Sequence, residues 1–197
     1  MNVMLLDYTD YPETMITSAI KLCHGGKVVD KEDENLIRKV IKWGHLSVLE
    51  HVSFTYLIEG VSRVTTHQLV RHRMASYSQQ SHRYTRAKEN NFVCPPDIQN
   101  NKEAYDIYEE VRKDAVKAYN RLIAMGIKKE DARYIIPQAV ASNIMVTMNA
   151  RELLHFFRLR CAKSAQWEIR RLANKMLVLA KERAPVIFEN IEVNENE

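Results

Sequence analysis

Hydrophobic and polar positions change period several times along this chain, and each change marks an element. Val3-Met4-Leu5-Leu6-Asp7 is a short apolar run before a turn and predicts a strand. Pro12 suits the first turn of a helix reaching about Cys23, which Gly25-Gly26 would end. Asp30 is expected to cap the next helix. That helix carries Leu36, Ile37, Val40 and Ile41 at helical spacing and stops at Gly44. The β-branched and aromatic run His51–Glu59 predicts a strand, after which Gly60 and Ser62 introduce a helix running into Arg71. From His72 to about Phe92 the polar composition predicts loop with short strands, closed by the break Cys94-Pro95-Pro96. Asn101–Met125 carries the clearest 3.6-residue period, with Ala104, Ile107, Tyr108, Val111, Ala115, Tyr119 and Leu122 on one face and Gly126 as cap. A short helical turn at Lys128–Ala132 and a break at Pro137 follow. Next come a strand at Ser142–Asn149 and helices at Ala150–Arg160 and Gln166–Arg183, the last ending before Pro185. The acidic residues Asn190–Glu197 are expected to fray. With no repeat, linker or low-complexity tract, the reading is a single α+β domain over residues 1–197, a central mostly antiparallel sheet packed by long helices.

Composition narrows the class. The 197 residues are 46% apolar and 27% charged, enough for one well-buried core. A net charge of +4 is too small for a general nucleic-acid coat but is compatible with a local anion site. The N-terminus has no basic region or cleavage site, and no apolar run approaches the roughly 20 residues that span a bilayer. Cys23, Cys94 and Cys161 are far apart and form no Cys-x-x-Cys pair. They are therefore read as small buried apolar residues of a cytoplasmic protein, without a disulfide framework or zinc site.

The chemistry concentrates in three clusters. The first is Arg71-His72-Arg73 followed by Ser76, Ser78, Ser81, His82 and Arg83. Guanidiniums stay charged and offer a planar fork of donors, and beside hydroxyls in a loop they make an anion-binding concavity. The plainer reading of Arg-His-Arg alone is a cationic helix end complementing the dipole. The second cluster, Gly44-His45-Leu46-Ser47-Val48-Leu49-Glu50-His51, could supply a phosphate donor or a stacking ring. It lacks the helical His-Glu-x-x-His pattern, and no metal is expected. The third comprises Arg133, Asn149, Arg151, His155 and Arg160. Asn149 could cap the helix from Ala150, and Arg151 and His155, four apart, share a face. The many apolar residues of this helix imply burial. Its arginines would then need salt bridges or a ligand anion, and Glu152 is the only local carboxylate. No Ser-His-Asp arrangement, P-loop or Gly-x-Gly-x-x-Gly turn occurs. Ser81 as a nucleophile would need a base oriented beside it, which the neighbouring His82 does not guarantee.

Arg71-His72-Arg73 followed at a fixed interval by Ser81 resembles the signature of the flavin-dependent thymidylate synthases. The surrounding blocks agree in order: Gly44-His45, Glu50-His51, Gln68, Arg83-Tyr84, Ala132-Arg133 before Pro137, Asn149-Ala150-Arg151, Leu159-Arg160 and Ala165-Gln166-Trp167-Glu168. The resemblance implies a homotetramer with shared active sites. It would act as an FAD-dependent methyltransferase making dTMP from dUMP, with 5,10-methylenetetrahydrofolate as one-carbon donor, NADPH as reductant and tetrahydrofolate as the folate product. It implies that His45, Ser47, Arg71, His72, Arg73, Met74, Gln79, Asn149, Ala150, Arg151 and His155 contact FAD. It implies that Gln68, Leu69, Val70, Arg71, Gln79, Gln80, Ser81, His82, Arg83, Arg133 and Arg160 hold dUMP, with Ser81 and Arg83 on its phosphate. Arg160 would face the pyrimidine as the catalytic group, stabilising charge on the activated ring. Gln79 stands where many members carry Glu, and an amide there cannot act as a carboxylate base. The alternative without catalysis is an RNA- or nucleotide-binding module, which the modest charge and the separation of donors into three clusters disfavour; a homologue that binds FAD without turnover is a third reading.

Overall fold

A computed structural model describes residues 1–85 and 91–193. The chain runs through β1 (Asn2–Tyr8), α1 (Pro12–Cys23), α2 (Glu34–Lys42), a 3-10 turn at Leu46–His51, β2 (Ser53–Ser62), α3 (Arg63–Leu69) and β3 (Ala75–Gln79). It continues through α4 (Pro96–Gln99), α5 (Lys102–Ala124), α6 (Lys129–Ala132), a 3-10 turn at Arg133–Ile135, β4 (Ala141–Asn149), α7 (Ala150–Arg160), α8 (Trp167–Arg183) and α9 (Pro185–Phe188). The fold is α+β. Its four-stranded antiparallel sheet has the order β1-β2-β4-β3.

Contacts divide the chain into two compact units. One comprises Met1, Glu59–His67 and Ser78–Ile144, the other Asn2–Ile58, Gln68–Tyr77 and Met145–Glu197. The larger unit holds an aromatic core: Phe157 meets Phe188 edge-on at 5.5 Å between ring centroids, and Phe188 meets Phe54 at 5.8 Å. Ile169, Leu172, Met176 and Leu177 of α8 are fully buried in this unit. Along β2, Phe54, Tyr56 and Ile58 are buried while their neighbours are half-buried, the alternation expected of a strand with one face in a core. In the smaller unit Tyr119 and Ala132 form a core cluster with Leu122, Ile123 and Ile136.

Several boundaries differ from the sequence expectation, each for a local reason. The cap of α2 is Asp33, not Asp30, because its carboxylate accepts from Leu36 N–H at 3.0 Å, three residues on. β2 runs past Glu59 to Ser62. Gly60 takes φ 69° within the strand and donates its N–H to Asn143 Oδ1 at 3.1 Å, so glycine bends the strand instead of ending it. α3 ends at Leu69, two residues short of Arg71. Ile107 and Val111, on the apolar face of α5, are 58% and 54% exposed. With Phe92, Ile98, Pro137 and Ala139 they line an apolar groove of about 370 Å³. Cys23 is exposed and Cys94 half-buried, so only Cys161 fits the reading of small core residues. The expectation of loop at 72–92 falls partly, and that of fraying at 190–197 partly, outside the described residues. No helix among those described is long and apolar enough to cross a membrane.

Candidate active site

The Arg71-His72-Arg73 segment is a turn held from beneath. His72 N–H donates to Leu69 O at 3.1 Å, and the Tyr77 hydroxyl, reaching back from β3, lies 2.8 Å from both Leu69 O and His72 O. Burial, and then the charge of Glu152, push the Tyr77 phenol far above its usual range, so it stays a donor. Arg71, Arg73 and Met74 are exposed on this turn, whereas His72 is 5% exposed and Leu69 fully buried.

The buried imidazole organises its surroundings. Arg160 Nε donates to His72 Nε2 at 3.1 Å, and His72 Nδ1 lies 3.2 Å from Glu152 Oε1. A guanidinium only donates, so Nε2 must accept and the ring proton sits on Nδ1, pointing at the carboxylate. Burial, the positive charge of Arg160 and the nearby His155 all lower the His72 pKa, while the bond to Glu152 raises it in part; the net direction is downward, which keeps the ring neutral. The ring packs edge-on against Phe156 at 4.9 Å.

The same unit carries a polar cavity of about 490 Å³, lined by Leu46 and Glu50 of the first 3-10 turn, Met74, and Asn149, Arg151, Glu152, Leu154, His155 and Arg158. Asn149 Oδ1 accepts from Glu152 N–H at 2.9 Å and so caps α7 while reaching the cavity edge. From that start, Arg151, His155 and Arg158 fall on one exposed face, as the four-residue spacing predicts. Arg151 pairs with Glu50 at 2.5 Å, a partner more than local to its own helix. His45 and Ser47 are exposed beside this turn. They follow α2, whose end is shaped by Gly44 at φ 77°: Gly44 N–H donates to Ile41 O and His45 N–H to Val40 O, both at 3.1 Å.

The smaller unit holds a second cavity of about 440 Å³, lined by Arg63, His67, His82, Arg133, Tyr134, Ile136, Pro137, Gln138 and Val140. Among the described residues no carboxylate lines it. His82 is 7% exposed and its Nε2 has no hydrogen-bond partner among the described residues. Burial, then Arg63 and Arg133, lower the pKa of His82. Arg63 and His67, four apart on α3, escaped the sequence reading, although their spacing places both on one helix face. Arg158 also escaped it; its place three residues beyond His155 was the available signal.

Ser81 Oγ accepts from Arg83 N–H at 3.2 Å and bonds to no base among the described residues. Arg83 pairs with Glu130 at 2.5 Å. Arg133 Nε donates to Glu130 O at 3.1 Å. Gln80 N–H donates to Asn143 O at 2.8 Å, tying the start of this loop to β4. Gln79 Nε2 donates to Thr66 Oγ1 at 3.0 Å and Ser142 Oγ at 3.3 Å. Those hydroxyls donate in turn to Arg63 O and Gln80 O. Their protons are thus committed and their lone pairs face Gln79, a setting for an amide rather than a carboxylate. The structure therefore brings His72, Asn149, Arg151, His155 and Arg160 into one unit and Gln79–Arg83 and Arg133 into the other, with the side chains of Leu69 and Ala150 in the core.

A family model described as thymidylate synthase complementing protein matches residues 4–186. The chain belongs to this family. It is similar to the flavin-dependent thymidylate synthase of Geobacter sulfurreducens, 44% identical over 96% of this chain and 86% of that one. A second relative of the same name, from Pyrococcus furiosus, is 44% identical over 90% of this chain and 78% of its own. Among solved structures, a UMP/dUMP methylase PolB from Streptomyces cacaoi bound with 5-Br dUMP superposes with a TM-score of 0.85 at 25% identity, covering 95% of this chain and 93% of that one. Membership in the thymidylate synthase complementing family makes the chain an enzyme of the flavoprotein methyltransferase class.

Proposed function

We propose that this chain methylates dUMP to dTMP reductively in the cytoplasm. 5,10-methylenetetrahydrofolate would donate the one-carbon unit, NADPH would supply the electrons, and FAD would be held in a homotetramer with shared sites. The observation that carries the reading is His82 Nε2, buried and without a partner among the described residues, in a cavity walled by Arg63, His67 and Arg133. A buried polar atom without a partner costs about 1–3 kcal/mol, and an entering phosphate or uracil oxygen would satisfy it. Ser81, Arg83 and Arg133 stand ready to bind the same nucleotide. The relatives' shared name and the dUMP analogue in the PolB structure support this choice of ligand.

The cavity in the larger unit fits part of a phosphate-bearing dinucleotide. Arg151, His155 and Arg158 supply donors on one helical face, and Asn149 adds an amide. When bound, FAD supplies the hydride chemistry. Asn149, Arg151 and His155, with His45, Ser47, Arg71 and Arg73, would hold and orient it. The rest of the cofactor's site would be supplied by another copy. The exposed apolar groove on α5 supports the same association.

Arg160 spends its Nε on His72, leaving its terminal amino groups for a ligand. Methylation at C5 requires electron density to build on the pyrimidine and spread to its oxygens. A fixed guanidinium lowers the energy of that charge, with no reorganisation at the moment of reaction. Ser81, lacking a base, binds rather than attacks.

The test is to reconstitute purified protein with FAD and mix it anaerobically with dUMP, methylenetetrahydrofolate and NADPH. A flavin absorption band and dTMP formation are expected. Colourless protein that takes up no FAD would sink the reading, and flavin binding without dTMP would reduce it to a non-catalytic homologue.

A further inference from the structure

We infer that Glu152 is a positioning residue for Arg160, acting through the imidazole of His72. The inference rests on the proposed role of Arg160 at the pyrimidine. Glu152 sits in the first turn of α7 and Arg160 at its end, two turns of helix away, so they cannot touch directly. His72, arriving on the turn after α3, bridges them: Glu152 Oε1 lies 3.2 Å from Nδ1 and Arg160 Nε 3.1 Å from Nε2.

The bridge has one consistent set of protons. A neutral imidazole has two tautomers, and only the Nδ1–H form offers an acceptor to Arg160. In the other tautomer, Nε2–H would point at the guanidinium's own N–H and drive it away, while a bare Nδ1 would face a carboxylate. A protonated ring would have no acceptor at all. The carboxylate selects the tautomer, the tautomer selects the guanidinium orientation, and Phe156 against the ring limits its rotation. The Glu152 side chain is 12% exposed and that of His72 4%, so water competes weakly for either bond. The polar atoms of Arg160 not engaged by His72 are then presented in a fixed plane. This is the arrangement in which electrostatic stabilisation is most effective, because little reorientation is required. A glutamate at this third helical position often folds back on its own helix start as a capping box; here its carboxylate goes outward to His72.

The experiment uses full-length protein with bound FAD, labelled with ring-¹⁵N histidine, together with Glu152→Ala and Glu152→Gln. In the unsubstituted protein the His72 Nδ1 signal is expected in the protonated range and Nε2 in the unprotonated range. Glu152→Ala should shift the ring toward the Nε2–H tautomer and lower kcat about tenfold or more, by analogy with the loss of a carboxylate that orients a metal-bound histidine. KM for dUMP should change little. Glu152→Gln keeps an acceptor oxygen and should restore both the tautomer and most of kcat. An Nε2–H tautomer in the unsubstituted protein would overturn the inference without touching the activity. So would a fall in kcat with the tautomer unmoved, or a Gln variant no better than Ala. If Glu152→Ala fails to fold, the unsubstituted and Gln spectra still decide. Absence of dTMP formation with a correct tautomer would instead remove the functional reading, and the positioning role with it.

Discussion

Arg160 and His82 occupy opposite electrical situations. Arg160 is a charge with one donor assigned and the rest available, so its loss should be felt in chemistry more than in folding. Arg160→Ala is expected to retain flavin and fold, while kcat falls about 10²–10³-fold, the scale for removing one preorganised charge-stabilising donor. Steady-state dTMP formation beside the flavin spectrum checks this, and near-normal turnover would refute it. His82 is a neutral group in a positive cavity. Its pKa in the folded chain is below the unfolded value of about 6.5, so the unfolded chain takes up the proton first as pH falls. Stability should therefore be level above that value and decline below it, until the folded pKa is reached. The slope is at most about 1.4 kcal/mol per pH unit for each such histidine. His72 shifts in the same direction. Urea unfolding between pH 8 and pH 5 should show the decline, and His82→Asn should flatten it; an unchanged slope in that variant would assign the effect elsewhere.

At the scale of elements, the ends of helices deliver the functional groups. Gly44 closes α2 in the left-handed region, with nothing within 4 Å of where a Cβ would stand. Gly44→Ala therefore meets no clash and bears only the backbone cost, about 1–2 kcal/mol. Thermal unfolding should show that loss, and no change would mean that the turn relaxes. These ends were largely legible: Gly44, Asn149 and the spacing of Arg151 and His155 all carry local signals in the sequence. What was illegible is non-local. Nothing near Glu152 in the chain announces His72, and the commitment of Gln79 to Thr66 and Ser142 emerges only when α3 and β4 flank it. Arg63 hid for another reason. Gly60 reads as a strand end in the sequence, which masks the start of α3 at Arg63 and marks only its far end. The cap at Asp33 was missed because the sequence offers two aspartates, and only the apolar register starting at Leu36 chooses between them.

For the whole molecule, α5 has the helical period that its apolar positions predict, but part of that face is exposed. A 3.6-residue apolar stripe states that a face is covered, without saying whether by the same chain. Ile107 and Val111 remain exposed, and on the proposed homotetramer this stretch is the face tested for contact between copies. Val111→Asp should leave the fold of one chain intact, since the side chain already meets solvent. On the proposed homotetramer it should also reduce the assembly to smaller species by light scattering; a full-size assembly would place the interface on another surface. Helices and most strands were accessible from periodicity, whereas the pairing of the strands and the partition of the candidate residues between two units required the fold.

The Arg83–Glu130 pair has a further consequence. On the proposed reading, Glu130 is an internal stand-in for the nucleotide's phosphate: it occupies the guanidinium until the true anion arrives. Both side chains are partly open to solvent, at 57% and 30%, and such a pair contributes about 0–1 kcal/mol. Exchange therefore costs at most about fivefold in affinity. In return, the carboxylate biases where the Arg83 guanidinium rests, so on the proposed reading the arriving dUMP meets a donor with part of its conformational search already made.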